Sequence, residues 1–130
     1  MTDEKRLESD SIGTLEIPGD AYYGVQTLRG YRNFYITGIP VNHLFIMNIV
    51  KIKKAAAIVN LAAGLLDKKT ADAIVEACRM VRDGKFDDQF VVDMVQGGAG
   101  TSTNMNANEV IANIALELMG HKKGEYKYCH

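Results

Sequence analysis

This sequence contains few cysteines and almost no excess of positive or negative charge. Its two cysteines, Cys78 and Cys129, match no metal-binding or redox spacing and are too few for a disulfide framework. A reducing cytoplasm is therefore the simplest expectation for its location. The 15 basic and 16 acidic side chains leave a net charge of -1, so the chain lacks the broad positive surface that binds nucleic acid or an anionic membrane. We expect neither kind of partner.

Long apolar runs are also missing. The most apolar stretch, LFIMNIV at residues 44–50, is followed by Lys51, Lys53 and Lys54, and it falls far short of the roughly 20 apolar residues of a membrane-spanning helix. The three lysines are most simply interpreted as a solvated helix face. The first ten residues, MTDEKRLESD, are charged and contain no apolar signal segment. With 47% hydrophobic and 24% charged residues, the composition is typical of one soluble domain, which we assign to residues 1–130.

Three segments show the spacing of apolar residues that predicts a helix. The first covers about residues 42–63, the second begins after the N-cap residue Asp67 and ends at Gly84, and the third ends at Met119 before Gly120. Because the first two are joined by a short connection, we expect them to pack antiparallel. The residues predicted to face the core are Leu44, Met47, Val50, Ala57, Val59, Leu61, Ala71, Ile74, Ala77, Cys78, Val81, Ala107, Val110, Ile111, Ile114, Ala115 and Leu118.

The remaining segments carry weaker signals. Up to about Pro40, glycines and prolines interrupt short apolar pieces such as AYYGVQ and NFYITG, which predicts extended segments and a small hairpin. FVVDMV at residues 90–95 is β-prone and short, and it fits either a strand or a buried extended segment. Together these patterns predict a mainly α-helical fold with an irregular or hairpin-bearing N-terminal arm.

Residues 96–110 read QGGAGTSTNMNANEV and concentrate three glycines, three hydroxyl side chains and three asparagines. The third helix has two candidate starts within this stretch. Asn106 and Glu109 resemble a capping box, whereas Thr101 or Ser102 would cap an earlier start. We favour the early start, because the glycines supply free backbone before the cap and TSTNMNAN contains no helix breaker.

A helix that begins near Thr101 would collect several hydrogen-bond donors at one point. Its first backbone N–H groups are unpaired, its macrodipole is positive there, and hydroxyl groups lie alongside. The three preceding glycines would let a carboxylate or phosphate approach the backbone itself. Asn104 and Asn108 share one helix face and can hold either a ligand or another polar chain. The cluster therefore predicts an anion-binding site.

Simpler interpretations apply to single residues. Helix capping explains any one hydroxyl or asparagine of this stretch, but not the whole cluster. A phosphate-binding loop needs a lysine after the last glycine, and the dinucleotide-binding fingerprint needs one more glycine; both are missing. His43 and His121 are interpreted as solvated or capping residues. Asp87, Asp88 and Asp93 are interpreted as solvated loop carboxylates.

Three stretches of the sequence resemble one enzyme family. DQFVVDMVQGGAGTSTNMNANEVIANIALELMG, at residues 88–120, is similar to the first signature segment of the aspartase/fumarase superfamily. IPGDAYYGVQTLRGYRNF and VKIKKAAAIVN match the same family, so the resemblance covers nearly the whole chain. The GGAGTS form resembles the aspartate ammonia-lyase branch, because class II fumarases typically carry a serine-glycine-threonine version there.

The resemblance implies a cofactor-independent reaction in which L-aspartate loses ammonia and becomes fumarate. A base removes the proton beside the side-chain carboxylate, which becomes a dianionic aci-carboxylate. Thr101 matches the family threonine that hydrogen-bonds a substrate carboxylate. Ser102 and the backbone of Gly100 are its expected helpers, and Asn104 is a further expected substrate contact. No residue is assigned to a metal.

The same resemblance implies what these 130 residues do not contain. In the family, the catalytic base lies on a later glycine-serine loop, and each active site combines segments from three subunits of a homotetramer. We therefore expect this chain to be the N-terminal domain of a longer cytoplasmic lyase, inactive alone and without a catalytic residue of its own. A class II fumarase-type hydratase and a non-enzymatic interaction domain stay open as alternatives.

Overall fold

The structure, a computed structural model, describes residues 4–130. Its regular elements are β1 (Lys5–Ser9), β2 (Thr14–Pro18), α1 (Val25–Asn33), α2 (His43–Ala62), α3 (Lys68–Arg82) and α4 (Thr101–Leu118), with a short 3-10 turn at Asp87–Gln89. The helix α4 packs against the other three helices, and its residues 111–116 are all buried. The mainly α-helical fold and the N-terminal hairpin predicted from the sequence are confirmed.

The hairpin has a local sequence reason. Its two strands are antiparallel, and Ser9 pairs with Thr14 at the end next to the turn. The carboxylate of Asp10 accepts hydrogen bonds from the N–H groups of Ile12 and Gly13, which is the usual way in which an aspartate closes a turn. The turn therefore follows from residues that are adjacent in the sequence.

The helix α1 corrects the expectation of an irregular chain up to Pro40. Its N-cap residue is Gly24, which has no side chain to cap a helix. The N–H groups of residues 24–27 donate instead to the carboxylates of Glu8, on β1, and Glu109, on α4. These acceptors lie between 17 and 85 positions away along the chain, so no local pattern predicts this helix.

The bounds of α2 and α3 agree with the prediction to within one or two residues, because both helices carry local caps. The side chain of Asn42 accepts a hydrogen bond from the N–H of Leu44 at 2.8 Å, and that of Asp67 accepts one from Thr70 at 3.0 Å. Gly64, with a φ of 73°, turns the chain between the two helices, which pack against each other.

The predicted core face is right for α3, where only Ile74 is partly exposed, but partly wrong for α2 and α4. Leu44 and Val59 are 69% and 62% exposed, and Ile46 is buried instead. Since α2 is apolar almost all round, spacing does not determine which side packs. Leu118 is the last residue of α4 and is 47% exposed, at the edge of the core.

Residues 90–95 form an irregular segment rather than a strand. Its last two residues, Met94 and Val95, are exposed, so only its first part is the buried segment expected from the sequence. Within residues 4–130, the segment forms a single bridge, between Asp93 and Pro40. Phe90, Val92 and Asp93 are buried. The segment leads directly into residues 96–100, here called the glycine loop, and thereby fixes where α4 begins.

Candidate functional site

The helix α4 begins at Thr101, which confirms the early start. Gly98, Ala99 and Gly100 all have positive φ, at 76°, 54° and 82°, a conformation that favours glycine. Gly100 is the N-cap residue and has no side chain to cap the helix. A Cβ at Gly100 would meet nothing within 4 Å. The helix start is therefore open to the approach of a small ligand.

The capping-box interpretation of Asn106 is wrong. Its side chain is fully buried inside the fold, where it accepts a hydrogen bond from the N–H of Val91 at 3.1 Å and donates to the carbonyl of Gln89 at 2.9 Å. Glu109, the other member of the expected box, binds the start of α1. Both residues therefore hold segments of the fold together.

Two of the three hydroxyl residues bond to the glycine loop. Thr101 is exposed, and its hydroxyl donates to the carbonyl of Gly98 at 2.6 Å. Thr103 is buried, and its N–H and hydroxyl both donate to Oε1 of Gln96 at 2.9 Å. Thr103 therefore anchors the loop, whereas Thr101 is accessible to a ligand.

Ser102 contributes a backbone donor to the site. Its N–H donates to no other group within residues 4–130, whereas the N–H groups of Thr101, Thr103 and Asn104 are bonded within the loop and its helix. The Ser102 side chain is half-buried against α1, where a Cβ at Gly30 would lie 3.0 Å from the hydroxyl oxygen. The structure thus leaves the main chain of Ser102 available at the helix start.

Asn104 is held by a lysine from another helix. The ammonium of Lys53, on α2, donates to Oδ1 of Asn104 at 2.6 Å, and both residues are half-buried. The interpretation of Lys53 as part of a solvated face is therefore wrong, and a contact between residues 51 positions apart leaves no local signal in the sequence. Asn108, on the same side of α4, donates to the sulfur of Met105 at 3.6 Å.

Asp93 anchors the segment before the glycine loop and is buried, which corrects its interpretation as a solvated carboxylate. It accepts hydrogen bonds from the N–H groups of residues 36–38 and of Val95. Burial alone raises the pKa of Asp93, but these hydrogen bonds and one from the Thr37 hydroxyl outweigh it and hold the pKa well below its usual value. The ionised carboxylate fixes two loops beside the site.

The other polar candidates have simple surroundings. Nδ1 of His43 lies 3.1 Å from a carboxylate oxygen of Asp87, and both Asp87 and Asp88 are exposed. The ring of His121 stacks on that of Tyr128 at 3.9 Å. Across residues 4–130, no group of three or more histidine, cysteine, aspartate or glutamate side chains is placed to hold a metal ion. The helices in this range are also too short or too polar to span a membrane.

A family whose description is Lyase matches residues 13–130 of the chain. The chain belongs to this lyase family. It is 58% identical over 127 residues to the aspartate ammonia-lyase of Pseudomonas aeruginosa, a match that covers 96% of this chain and 27% of that protein. The resemblance to aspartate ammonia-lyases predicted from the sequence is confirmed.

Two solved structures show that this lyase-family chain has the family fold. The native form of a fumarate lyase:delta crystallin from Brucella melitensis is 48% identical, with a TM-score of 0.95 over 98% of this chain and 30% of the other. A class II fumarase from Schistosoma mansoni is 37% identical, with a TM-score of 0.89 over 94% of this chain and 26% of the other. The chain therefore spans less than a third of the length of each of these relatives.

Proposed function

We propose that this chain supplies the carboxylate-binding part of an aspartate ammonia-lyase, which converts L-aspartate to fumarate and ammonia. The observation that carries this proposal is the open start of α4, where exposed Thr101 follows a loop with positive φ. The N–H of Ser102 is a free donor there, as judged over residues 4–130. A carboxylate is a ligand that such a helix start favours. The 58% identity to an aspartate ammonia-lyase supports the choice of substrate.

This elimination requires a site that stabilises negative charge. Removal of a proton from the carbon beside the side-chain carboxylate turns that carboxylate into a dianionic aci-carboxylate. The carbon–nitrogen bond then breaks, its electron pair leaves with nitrogen, and the carbon–carbon double bond of fumarate forms. Donors already oriented toward the developing charge lower the barrier. Each charge-assisted hydrogen bond contributes about 1.5–3 kcal/mol, and the helix terminus contributes about 0.3–1 kcal/mol.

The proposed roles follow from the positions of the residues. The N–H of Ser102 binds the carboxylate directly, and the open backbone at Gly100 leaves room for it. The hydroxyl of Thr101 turns from the carbonyl of Gly98 to the ligand. Asn104 adds a side-chain amide one turn further along α4. No residue of this chain is given the role of catalytic base, so we expect the 130-residue chain to be inactive alone.

In this proposal the chain is the N-terminal domain of a longer cytoplasmic enzyme that works as a homotetramer. Support for extensive contacts comes from α2, because single-chain proteins rarely expose large contiguous apolar surfaces. The exposed apolar side chains of α2 are Leu44, Phe45, Ile52, Ile58 and Val59. Contact with other subunits or domains would remove these side chains from water.

Two other functions have some support. A class II fumarase-type hydratase is favoured by the structural match to the Schistosoma mansoni enzyme, although the sequence identity of 37% is lower than the 58% with the aspartate ammonia-lyase. A non-enzymatic interaction domain is favoured by the exposed apolar side chains of α2. The three functions differ in whether ammonia, water or neither is added to fumarate.

The test compares this chain with the complete reading frame that encodes it. Both proteins are assayed for ammonia release from L-aspartate and for hydration of fumarate. We expect ammonia release from the complete protein only, and we expect Thr101→Ala to lower its kcat/KM about 10²-fold, a usual effect of losing one preorganised donor. Thr14→Ala, which changes an exposed threonine of the hairpin, is the matched control and retains activity.

Each other outcome identifies a different error. A complete protein that adds water faster than ammonia is a fumarase-type hydratase. Fumarate formation by the 130-residue chain, abolished by Thr101→Ala, would place the catalytic base within this chain. A folded complete protein that catalyses neither reaction would favour the interaction domain.

A further inference from the structure

The surroundings of Lys53 are not explained by the fold. The residue is half-buried on α2, and within residues 4–130 its ammonium forms no ion pair with a carboxylate. Its hydrogen-bond partner is the neutral side chain of Asn104. Lysines are rarely buried unless they are paired with an opposite charge, so this arrangement points to a role at Asn104.

The contact with Lys53 determines how the Asn104 amide is oriented. An ammonium has three donors and no acceptor, so the amide atom that faces it at 2.6 Å has to be the oxygen. The nitrogen and oxygen of an asparagine amide have nearly the same shape, and hydrogen bonds decide between the two orientations. With Oδ1 on Lys53, Nδ2 points away from the lysine, and it donates to no acceptor in the described part of the chain.

Asn104 lies one helical turn beyond the proposed carboxylate site. Asn104 follows Thr101 by three residues on α4, and residues at this spacing are neighbours on a helix surface, with Cβ atoms about 5–6 Å apart. In the observed orientation the amide presents donors on the side away from Lys53. In the flipped orientation it would present its oxygen, which repels a carboxylate. The orientation of the Asn104 amide therefore decides whether it attracts or repels the carboxylate.

We propose that Lys53 is a positioning residue, which holds the Asn104 amide with its N–H groups directed toward the bound carboxylate. This role rests on the proposed function of the α4 start as a carboxylate site. Lys53 acts through Asn104, since the amide oxygen lies between the ammonium and the donors that face the ligand. The lysine also adds one positive charge near a site that binds an anion.

Amide NMR of the 130-residue protein tests this role with three variants. Lys53→Met removes the ammonium but keeps an unbranched apolar side chain. Lys53→Arg keeps a cationic donor. Lys51→Met changes the net charge by the same amount at a neighbouring exposed lysine and is the matched control. The measurements are the side-chain amide signals of Asn104 without ligand, and the slope of the backbone shifts of residues 98–104 during titration with fumarate.

We expect Lys53→Met to move the Asn104 side-chain signals and to reduce the fumarate slope at least roughly fivefold, the effect of losing one oriented hydrogen bond to a charged ligand. Lys53→Arg should keep the slope within about twofold of the wild type, because its guanidinium also carries donors only. Lys51→Met should leave the Asn104 signals unchanged and the slope nearly so.

Three results would contradict these expectations, and they can be told apart. Unchanged Asn104 side-chain signals in Lys53→Met would overturn the positioning role, whether or not fumarate binds. An equal loss of slope in Lys51→Met and Lys53→Met would assign the effect to net charge and would also overturn it. If fumarate shifts no residue between 98 and 104 while the Asn104 signals still depend on Lys53, the carboxylate site is refuted, and the orientation of Asn104 by Lys53 is upheld.

Discussion

Two helices of this protein begin at a glycine N-cap, and their first turns have opposite surroundings. At α1, the N–H groups of residues 24–27 donate to the carboxylates of Glu8 and Glu109. At α4, no carboxylate within residues 4–130 accepts a hydrogen bond from the first turn, and the glycine loop leaves the backbone open. Both helix starts favour an anion. At α1 the chain's own carboxylates fill this position, whereas at α4 it is available to a ligand.

The closed start is surrounded by further donors. Glu8 also accepts hydrogen bonds from Arg6 at 2.8 Å and from the hydroxyl of Tyr126 at 3.1 Å. Burial raises the pKa of Tyr126, and the negative charges of Glu8 and Glu109 raise it further, so the phenol stays protonated and donates. Within residues 4–130, no buried side-chain nitrogen or oxygen lacks a partner. The polar groups at the start of α1 are therefore satisfied within the chain, and this helix start has a structural role.

The largest effect is expected from Glu109→Ala at the closed start. This change leaves three backbone N–H groups without their acceptor, and each unsatisfied buried group costs about 1–3 kcal/mol. We expect the free energy of unfolding, measured by urea denaturation, to fall by about 3–5 kcal/mol. The control is Glu76→Ala, which removes an exposed carboxylate paired with Arg79 and should have no measurable effect. Equal stability of the two variants would show that α1 does not need its remote carboxylate.

The helix starts also differ in how much of their capping is encoded in the local sequence. Asn42 and Asp67 directly precede α2 and α3 and cap them through their own side chains, so the bounds of those helices are predictable from the sequence. The start of α4 is also marked locally, by the glycines whose positive φ turns the chain into the helix. The caps of α1 come from Glu8 and Glu109, and the partner of Asn104 comes from α2. Those contacts depend on how distant segments pack, which periodicity and capping rules do not encode.

A smaller loss of stability is expected from Gly24→Ala, which adds a methyl group to the closed start. The new Cβ would lie 2.5 Å from Oε2 of Glu8 and 2.9 Å from Cδ of Glu109. Because both groups are buried and hydrogen-bonded, they cannot move aside cheaply. We expect a loss near the upper end of the roughly 1–3 kcal/mol that overpacking costs, again measured by urea denaturation. A variant as stable as the wild type would show that Glu8 and Glu109 move away from the added methyl group at little cost.

Gly100→Ala adds the same methyl group to the open start and should cost less. Nothing lies within 4 Å of the new Cβ, so the expected loss of about 1 kcal/mol comes from the φ of 82° alone. Gly100→Asn is the diagnostic partner, because asparagine tolerates the left-handed conformation better than alanine. It should be more stable than Gly100→Ala. If the two variants are equally stable, backbone conformation is not the cause of the loss.

The smallest effect is expected when fumarate is added to the 130-residue protein. The carboxylates at α1 belong to the chain, so their binding loses no translational freedom, whereas a free ligand loses an estimated 4 kcal/mol or more. The Thr101 hydroxyl exchanges its bond to Gly98 for one to the ligand and gains only the small difference between them. The net gain therefore comes mainly from the two charge-assisted hydrogen bonds of Ser102 and Asn104 and from the helix terminus, about 3–7 kcal/mol. The difference falls short of the roughly 4.1 kcal/mol that corresponds to a Kd of 1 mM. Amide NMR should therefore show small, unsaturated shifts confined to residues 98–104. Saturable micromolar binding, or an equal response in Thr101→Val, would contradict this account of the open start.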